Sequence, residues 1–273
     1  MANHYALLQS VYFKLPPTEV PGEAGALANP PVQSIIPAIQ RLGALCKMGV
    51  MGADIALLLL RFSKLILNPN DISPIFKGSS FLKHKSFQLS LQTFYEDPET
   101  AELLRTRYLS EAPYDLDVLL QLPPDTLGHA FASHMRSNQL EVVFYPPLEK
   151  TDDDDIAYLR RRARQTHDIH HVVLGYPAID VGEMAISAFY LSQHRVPLSA
   201  LLIGFGFLYT ILREPQRIEE LIKAIETGWQ AGQQARRLLG IRWEEYWETP
   251  LETLRQELRI PLPPPIFTQG AKS

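Results

Sequence analysis

The densest run of chemistry-bearing side chains in the sequence is His167-Asp168-Ile169-His170-His171, followed by Glu183. Imidazole nitrogens and carboxylate oxygens are the donors of a divalent-metal site. On a helix, with about 100° between successive residues, His171 stands about 40° and Asp168 about 100° from His167, so all three face one pocket. His170 falls at about 300°, beyond His167, where it borders the site and is expected as a proton shuttle. Glu183 lies twelve residues past His171, and the break at Gly175-Tyr176-Pro177 lets a second helix fold back and aim it at the first. The set His167, Asp168, His171 and Glu183 suits zinc, iron or manganese, and a hydrated version of it suits magnesium. Spacing alone leaves alternatives. Paired histidines also occur in ordinary cores, Asp168 can be a surface carboxylate, and Asp180-Val181-Gly182-Glu183 has the spacing of a capping box.

The elements that must position these residues are helices. The acidic-to-basic run 152–174 predicts one, stopped by Gly175-Tyr176-Pro177, and Asp180 restarts another through His194. Further helices are expected over 34–66, 97–109 with Asp97 as its cap, 115–122, 125–139 with Asp125 as its cap, 217–239 and the end of 243–260. Residues 141–147 read as an extended connection, and strand-like alternation is scarce. The expected fold is all-α: a Pro/Gly-rich arm over 1–33, one helical domain over 34–260 containing an apolar channel between helices and the metal site, and a Pro-rich tail over 261–273.

Composition narrows the function classes. The 273 residues are 46% hydrophobic and 21% charged, as in an ordinary soluble protein, and the net charge of −4 provides no global field for nucleic acid. A single cysteine, Cys46, excludes an internal disulfide and a cysteine zinc knot. The apolar runs 53–60 and 196–211 are too short or too interrupted to span a bilayer, and the start reads as mature protein without a secretory or transit signal. Arg160, Arg161, Arg162 and Arg164 form a basic cluster one or two turns before His167, suited to a phosphate or headgroup or to a solvated face balanced by Asp152 to Asp155. Trp229, Trp243, Tyr246 and Trp247 suit a dimer interface, a membrane anchor or core.

At His167-Asp168-x-x-His171-x11-Glu183 the chain resembles the COQ4 family of ubiquinone-biosynthesis proteins, whose motif it matches without a gap. The segments 122–135, 156–168 and 238–260 resemble that family's flanking segments, and the likeness covers roughly 97–260. It departs at Gln193-His194-Arg195-Val196-Pro197, and the opening 96 residues match poorly. The resemblance implies a helical protein of the quinone pathway, with His167, Asp168, His171 and Glu183 as ligands of a divalent metal. It implies one of two roles. One is oxidative decarboxylation of a prenylated hydroxybenzoate, the ring carboxylate giving way to a hydroxyl. The other is a scaffold that holds an isoprenoid lipid for partner enzymes at a membrane surface. A metal-dependent hydrolase is the third reading of the same ligands.

An isoprenoid tail needs a dry groove, and 184–191 with 198–211 are its expected lining, alongside plain core packing. Arg164 is the arginine closest in angle to His171, and Arg164, Phe189, Leu202 and Phe205 are the expected substrate contacts. The expected partners are a prenylated quinone precursor, quinone-biosynthesis enzymes, a membrane surface and a second copy of the chain. The expected place is the cytoplasm or the inner face of a bacterial membrane.

Overall fold

A computed structural model describes residues 85–110, 112–142 and 155–267. The chain divides into two compact units, 14–84 and 1–13 with 85–273, and every described residue belongs to the second. The helix expected over 34–66, the connection at 143–147, Asp152 to Asp154 and the end of the Pro-rich tail lie outside the described residues.

The described residues form a single helical domain without strands. Its helices are α1 (Lys85–Tyr95), α2 (Pro98–Thr106), α3 (Leu116–Leu119), α4 (Leu127–Ser137), α5 (Asp155–Leu174), α6 (Asp180–His194), α7 (Pro197–Arg213), α8 (Ile218–Gln234) and α9 (Leu251–Glu257). Short 3-10 turns stand at Pro215–Arg217, Trp243–Glu245 and Pro265–Phe267. Asp97 caps α2 as expected, and Asp115, which was not singled out, caps α3. The cap of α4 is Thr126 and not Asp125. Asp125 instead gives its carbonyl to the Leu251 N–H, in the isolated antiparallel bridge that stitches Thr126 to Pro250. Helix α1 was not expected: its run KSFQLSLQTFY is too polar to announce a buried face, yet Ser90 and Thr93 sink theirs by donating hydroxyl protons to the His194 carbonyl.

Helix α5 ends in a glycine cap. Gly175 takes φ +70°, and the Tyr176 N–H bonds back to the His171 carbonyl. Arg255 of α9 adds its guanidinium to the Val172 and Val173 carbonyls, putting a cation at the negative end of the helix. Helix α6 then packs on α8 at backbone distance. A Cβ on Gly228 would stand 1.9 Å from the Ala185 carbonyl oxygen, and one on Gly232 would stand 2.8 Å from that of Phe189. Ala185, Ile186 and Phe189 are fully buried there with Ala224 and Ala231. Ile169, Val173, Phe131, Met135 and Trp243 complete the same core, which therefore surrounds the metal-motif segment of α5.

Candidate metal centre

Three of the expected ligands converge. His167, His171 and Glu183 each offer one donor atom, all within 4.8 Å of one another, and their side chains are sealed at 3%, 1% and 0% exposure. Glu183 reaches the site because α6 starts without it. The capping residue is Ile179, with no side-chain bond; Asp180 bonds its neighbour's N–H and the Arg217 guanidinium. The capping-box alternative is thereby removed, and the Glu183 carboxylate faces α5 instead. Gly182 permits this approach, since a Cβ there would lie 1.9 Å from the Pro177 carbonyl oxygen.

The hydrogen bonds set the imidazole tautomers. His171 Nδ1 is 3.1 Å from the Tyr176 carbonyl, which can only accept, so Nδ1 carries the proton. His171 Nε2 then points its lone pair at Glu183 Oε1, 3.0 Å away. Two electron pairs at that distance call for a cation between them, either a second proton or a metal. On the other side His167 Nε2 faces Glu183 Oε2 at 3.5 Å, and Oε2 accepts no hydrogen bond among the described residues. Two donors held about 2.0–2.1 Å from one metal at the tetrahedral angle stand about 3.3–3.5 Å apart, so this spacing fits a shared ion.

The electrostatics agree. Burial opposes charge on His167, but the Glu183 carboxylate, with help from Asp168, overrides it and lifts the pKa to about 10. Burial likewise opposes charge on Glu183, and the two imidazoles override it, holding the carboxyl far below its usual range. The metal-free site thus keeps a proton on His167 near neutral pH, and a metal must displace it. We expect metal uptake at pH 8 to release at least one proton, with affinity rising as pH rises toward about 10. Calorimetry in buffers of different ionisation enthalpy measures both; uptake without proton release contradicts the assignment of His167.

The other expected residues fall differently. Asp168 stands outside the three-donor group, with Oδ1 3.5 Å from His167 Nδ1, where a carboxylate orients a metal-binding imidazole. His170 is wholly buried with both ring nitrogens engaged. The Trp243 indole N–H donates to Nε2 at 3.2 Å, and Nδ1 is 2.6 Å from the Tyr190 hydroxyl. Burial, and then the charge of His167, push its pKa well down, so its neutral form is favoured. Phe189 lies in the α6–α8 contact and Leu202 is buried, while Phe205 and Arg164 are half-buried.

The basic cluster splits. Arg162 is fully buried and paired with Glu244, and it also donates to Gln165 and the Ile241 carbonyl; Arg160, Arg161 and Arg164 are half-buried. Of the tryptophans, Trp243 is core, Trp247 packs on Phe131 and Tyr114, and Trp229 is 42% exposed.

His134 was missed. It arrives from α4 with its ring parallel to His171 at 6.0 Å, and burial, then His171, lower its pKa to about 4. Nothing in its spacing from the motif announces it, since the two segments meet only in three dimensions.

A helical protein in which two histidines of one helix and a carboxylate of the next form a buried group able to hold a metal is the class this geometry defines. The family model described as coenzyme Q (ubiquinone) biosynthesis protein Coq4 matches residues 57–264, and the chain belongs to that family. It is 34% identical over 178 residues to the mitochondrial ubiquinone biosynthesis protein COQ4 of Eremothecium gossypii, a match covering 64% of this chain and 54% of that protein. The mitochondrial COQ4 homologue of Homo sapiens is 31% identical over 189 residues, covering 68% of this chain and 70% of that one. A solved protein assigned to ubiquinone biosynthesis in Nostoc punctiforme superposes with a TM-score of 0.63 at 30% identity, over 74% of this chain and 96% of that chain. The first of these alignments thus spans little more than half of the relative's length.

Proposed function

We propose that the chain uses a divalent metal held by His167, His171 and Glu183 to process a prenylated hydroxybenzoate in quinone biosynthesis, replacing the ring carboxylate with a hydroxyl. The observation that carries this reading is the count of donors. Among the described residues three side chains converge on one point, whereas a closed structural shell takes four, and this count supports a site that takes a substrate oxygen as a further ligand. A bound metal would supply a Lewis acid that stabilises negative charge on a carboxylate or phenolate oxygen. The chain's own residues orient and exclude. The Tyr176 carbonyl fixes the His171 tautomer, Asp168 orients His167, and the sealed surroundings keep bulk water from the donors. In the overall change the ring–carboxylate bond breaks with loss of carbon dioxide and a ring–oxygen bond forms, with dioxygen as the two-electron oxidant and one water consumed, so that hydrogen peroxide leaves with the phenol and carbon dioxide.

The identity of the metal (zinc, iron, manganese or magnesium) is an outcome of the test. The isoprenoid tail is assigned to the apolar helix α7, where Leu208, Ile211 and Leu212 are 39%, 57% and 57% exposed and Leu202 and Phe205 lie deeper. No helix among the described residues is long and apolar enough to cross a membrane. The same face supports peripheral contact with a bilayer, on the inner side of a bacterial membrane, where partner enzymes of the pathway and a second copy would meet the chain. Purified protein stripped of metal and resupplied with iron, zinc, manganese or magnesium should convert a prenylated hydroxybenzoic acid in the presence of oxygen, and Glu183→Gln should not. Folded, metal-loaded, lipid-binding protein without turnover would sink the catalytic reading and leave a scaffold that carries the lipid.

A further inference from the structure

Helix α6 starts on the poorer of two caps. Its capping residue is Ile179, in an extended conformation (φ −137°, ψ 170°), with no side-chain oxygen to accept the orphan N–H groups of the first turn. Asp180 stands one residue further on, and aspartate is among the best capping residues while isoleucine is among the worst. With Asp180 as the cap, Glu183 would be the third helical residue. Its carboxylate would then reach back to the Asp180 N–H and close the capping box. The metal donors need that same carboxylate, and the observed start delivers it. The Glu183 N–H goes to the Ile179 carbonyl at 3.0 Å, and Glu183 Oε1 lies 3.0 Å from His171 Nε2. Local preference and the folded chain differ by one residue, so a contact from outside α6 must hold the difference.

Arg217 makes that contact. Its Nη1 donates to Asp180 Oδ2 at 2.6 Å and to Glu214 Oε2 at 2.8 Å, and its Nε donates to Glu220 Oε2 at 2.7 Å. Asp180 Oδ1 accepts the Val181 N–H at 3.0 Å, so both carboxylate oxygens are engaged away from Glu183. The place is unfavourable for a cation, because Arg217 is the residue directly before α8, at the positive end of that helix. Two of its three carboxylates are local, and the third crosses to the first turn of α6. Gly182 of the same turn is packed on Pro177, whose carbonyl oxygen a Cβ would approach to 1.9 Å. The turn that carries Glu183 is therefore held at two points.

We infer that Arg217 is a positioning residue for the metal centre: by holding Asp180 it keeps residues 180–183 out of the capping box and commits the Glu183 carboxylate to His167 and His171. The inference rests on the metal site of the proposed function and goes beyond it by naming what selects ligand over cap. It makes a demand that an ordinary surface ion pair does not. Such a pair contributes a little stability, and deleting the second partner after the first restores nothing. Here Arg217→Gln frees Asp180 to cap and draws Glu183 away, whereas deleting the Asp180 carboxylate as well leaves no side chain to cap and returns Glu183 to the imidazoles.

The test titrates the full chain with cobalt(II), followed by the visible spectrum of the metal, with thermal melts to report folding. Arg217→Gln should bind cobalt about tenfold more weakly than wild type, the low end of what partners outside a ligand shell contribute. Arg217→Lys, which keeps the charge without the fork, should fall between the two. Arg217→Gln combined with Asp180→Ala should bind more tightly than Arg217→Gln alone. Folded Arg217→Gln that binds as wild type does overturns the inference and leaves the metal site standing, as does a double variant no tighter than the single one. Folded wild type that takes up no cobalt brings down the metal site, and the inference with it.

Discussion

Replacing Glu183 with glutamine lowers divalent-metal affinity by more than about a hundredfold, because partners outside the ligand shell already account for about 10–100-fold. Gln keeps the shape and one carbonyl oxygen but removes the charge that both imidazoles face, at 3.0 Å from His171 and 3.5 Å from His167. The loss is not confined to the metal-bound form. In the metal-free chain Glu183 carries the pairing that holds the His167 pKa at about 10, and the sign of its pH dependence follows. The His167 contribution to stability is full below its ordinary pKa of 6.5 and fades as pH rises from there through about 10. The Glu183 contribution is full above its ordinary 4.5 and fades as pH falls below that. These are two faces of one pair, and its stabilisation is greatest between about pH 4.5 and 6.5. Denaturant titrations of the metal-free protein across pH should show that maximum in wild type and a flatter profile in Glu183→Gln. His167 can shed its proton once the carboxylate is gone, so the variant should cost less than the roughly 3–5 kcal/mol of a buried pair broken to leave a permanent charge. A variant that binds metal as tightly as wild type would remove Glu183 from the ligand set.

Gly228→Ala should be strongly destabilising, as should Gly182→Ala, the other glycine of the described helices whose added carbon would meet a backbone oxygen at 1.9 Å. At Gly228 the added carbon would stand 1.9 Å from the Ala185 carbonyl oxygen and 2.9 Å from its Cα. Both neighbours are backbone, so no side-chain rotation relieves the clash, and α6 and α8 must separate. That separation opens a core in which Ala185, Ile186, Phe189 and Ala224 are completely buried. Overpacking typically costs about 1–3 kcal/mol, and a backbone clash belongs at the top of that range or above it. For a domain of this size, a loss of about 3 kcal/mol lowers Tm by roughly 6–12 °C. Ala185 lies two residues past Glu183 on α6, so metal affinity should fall together with stability. A thermal melt and a metal titration on the same sample check both, and a Tm within a degree of wild type would show that the helices do not pack through Gly228.

The two predictions differ in how much of their basis could be read from the sequence. The convergence of His167, His171 and Glu183 was legible. Helical periodicity places the histidines one turn apart on one face, and Gly175-Tyr176-Pro177 is a stop strong enough to reverse the chain. The all-helical architecture was legible for the same reason, down to the Asp97 cap, though the cap expected at Asp125 falls on Thr126. What sequence leaves open is the choice between roles that share one spacing. The capping box at Asp180–Glu183 was removed by Ile179 starting α6, and Asp168 was placed by the side of the His167 ring on which its carboxylate falls. Arg162 reads as one of a basic run, and only its partner Glu244, 82 residues away, turns it into a buried cation. His134, Tyr190 and Trp243 reach the centre from α4, far along α6 and the 243–245 turn, distances over which local pattern carries no signal.

The most direct measurement is the metal content of the purified full-length chain after stripping, reloading with a divalent ion and removing the excess, for wild type and His171→Ala side by side. The geometry predicts a single tightly held equivalent in wild type and loss of that equivalent in His171→Ala, with both proteins folded by circular dichroism. Folded wild type that retains no ion, or His171→Ala that retains it undiminished, would contradict a metal centre at His167, His171 and Glu183.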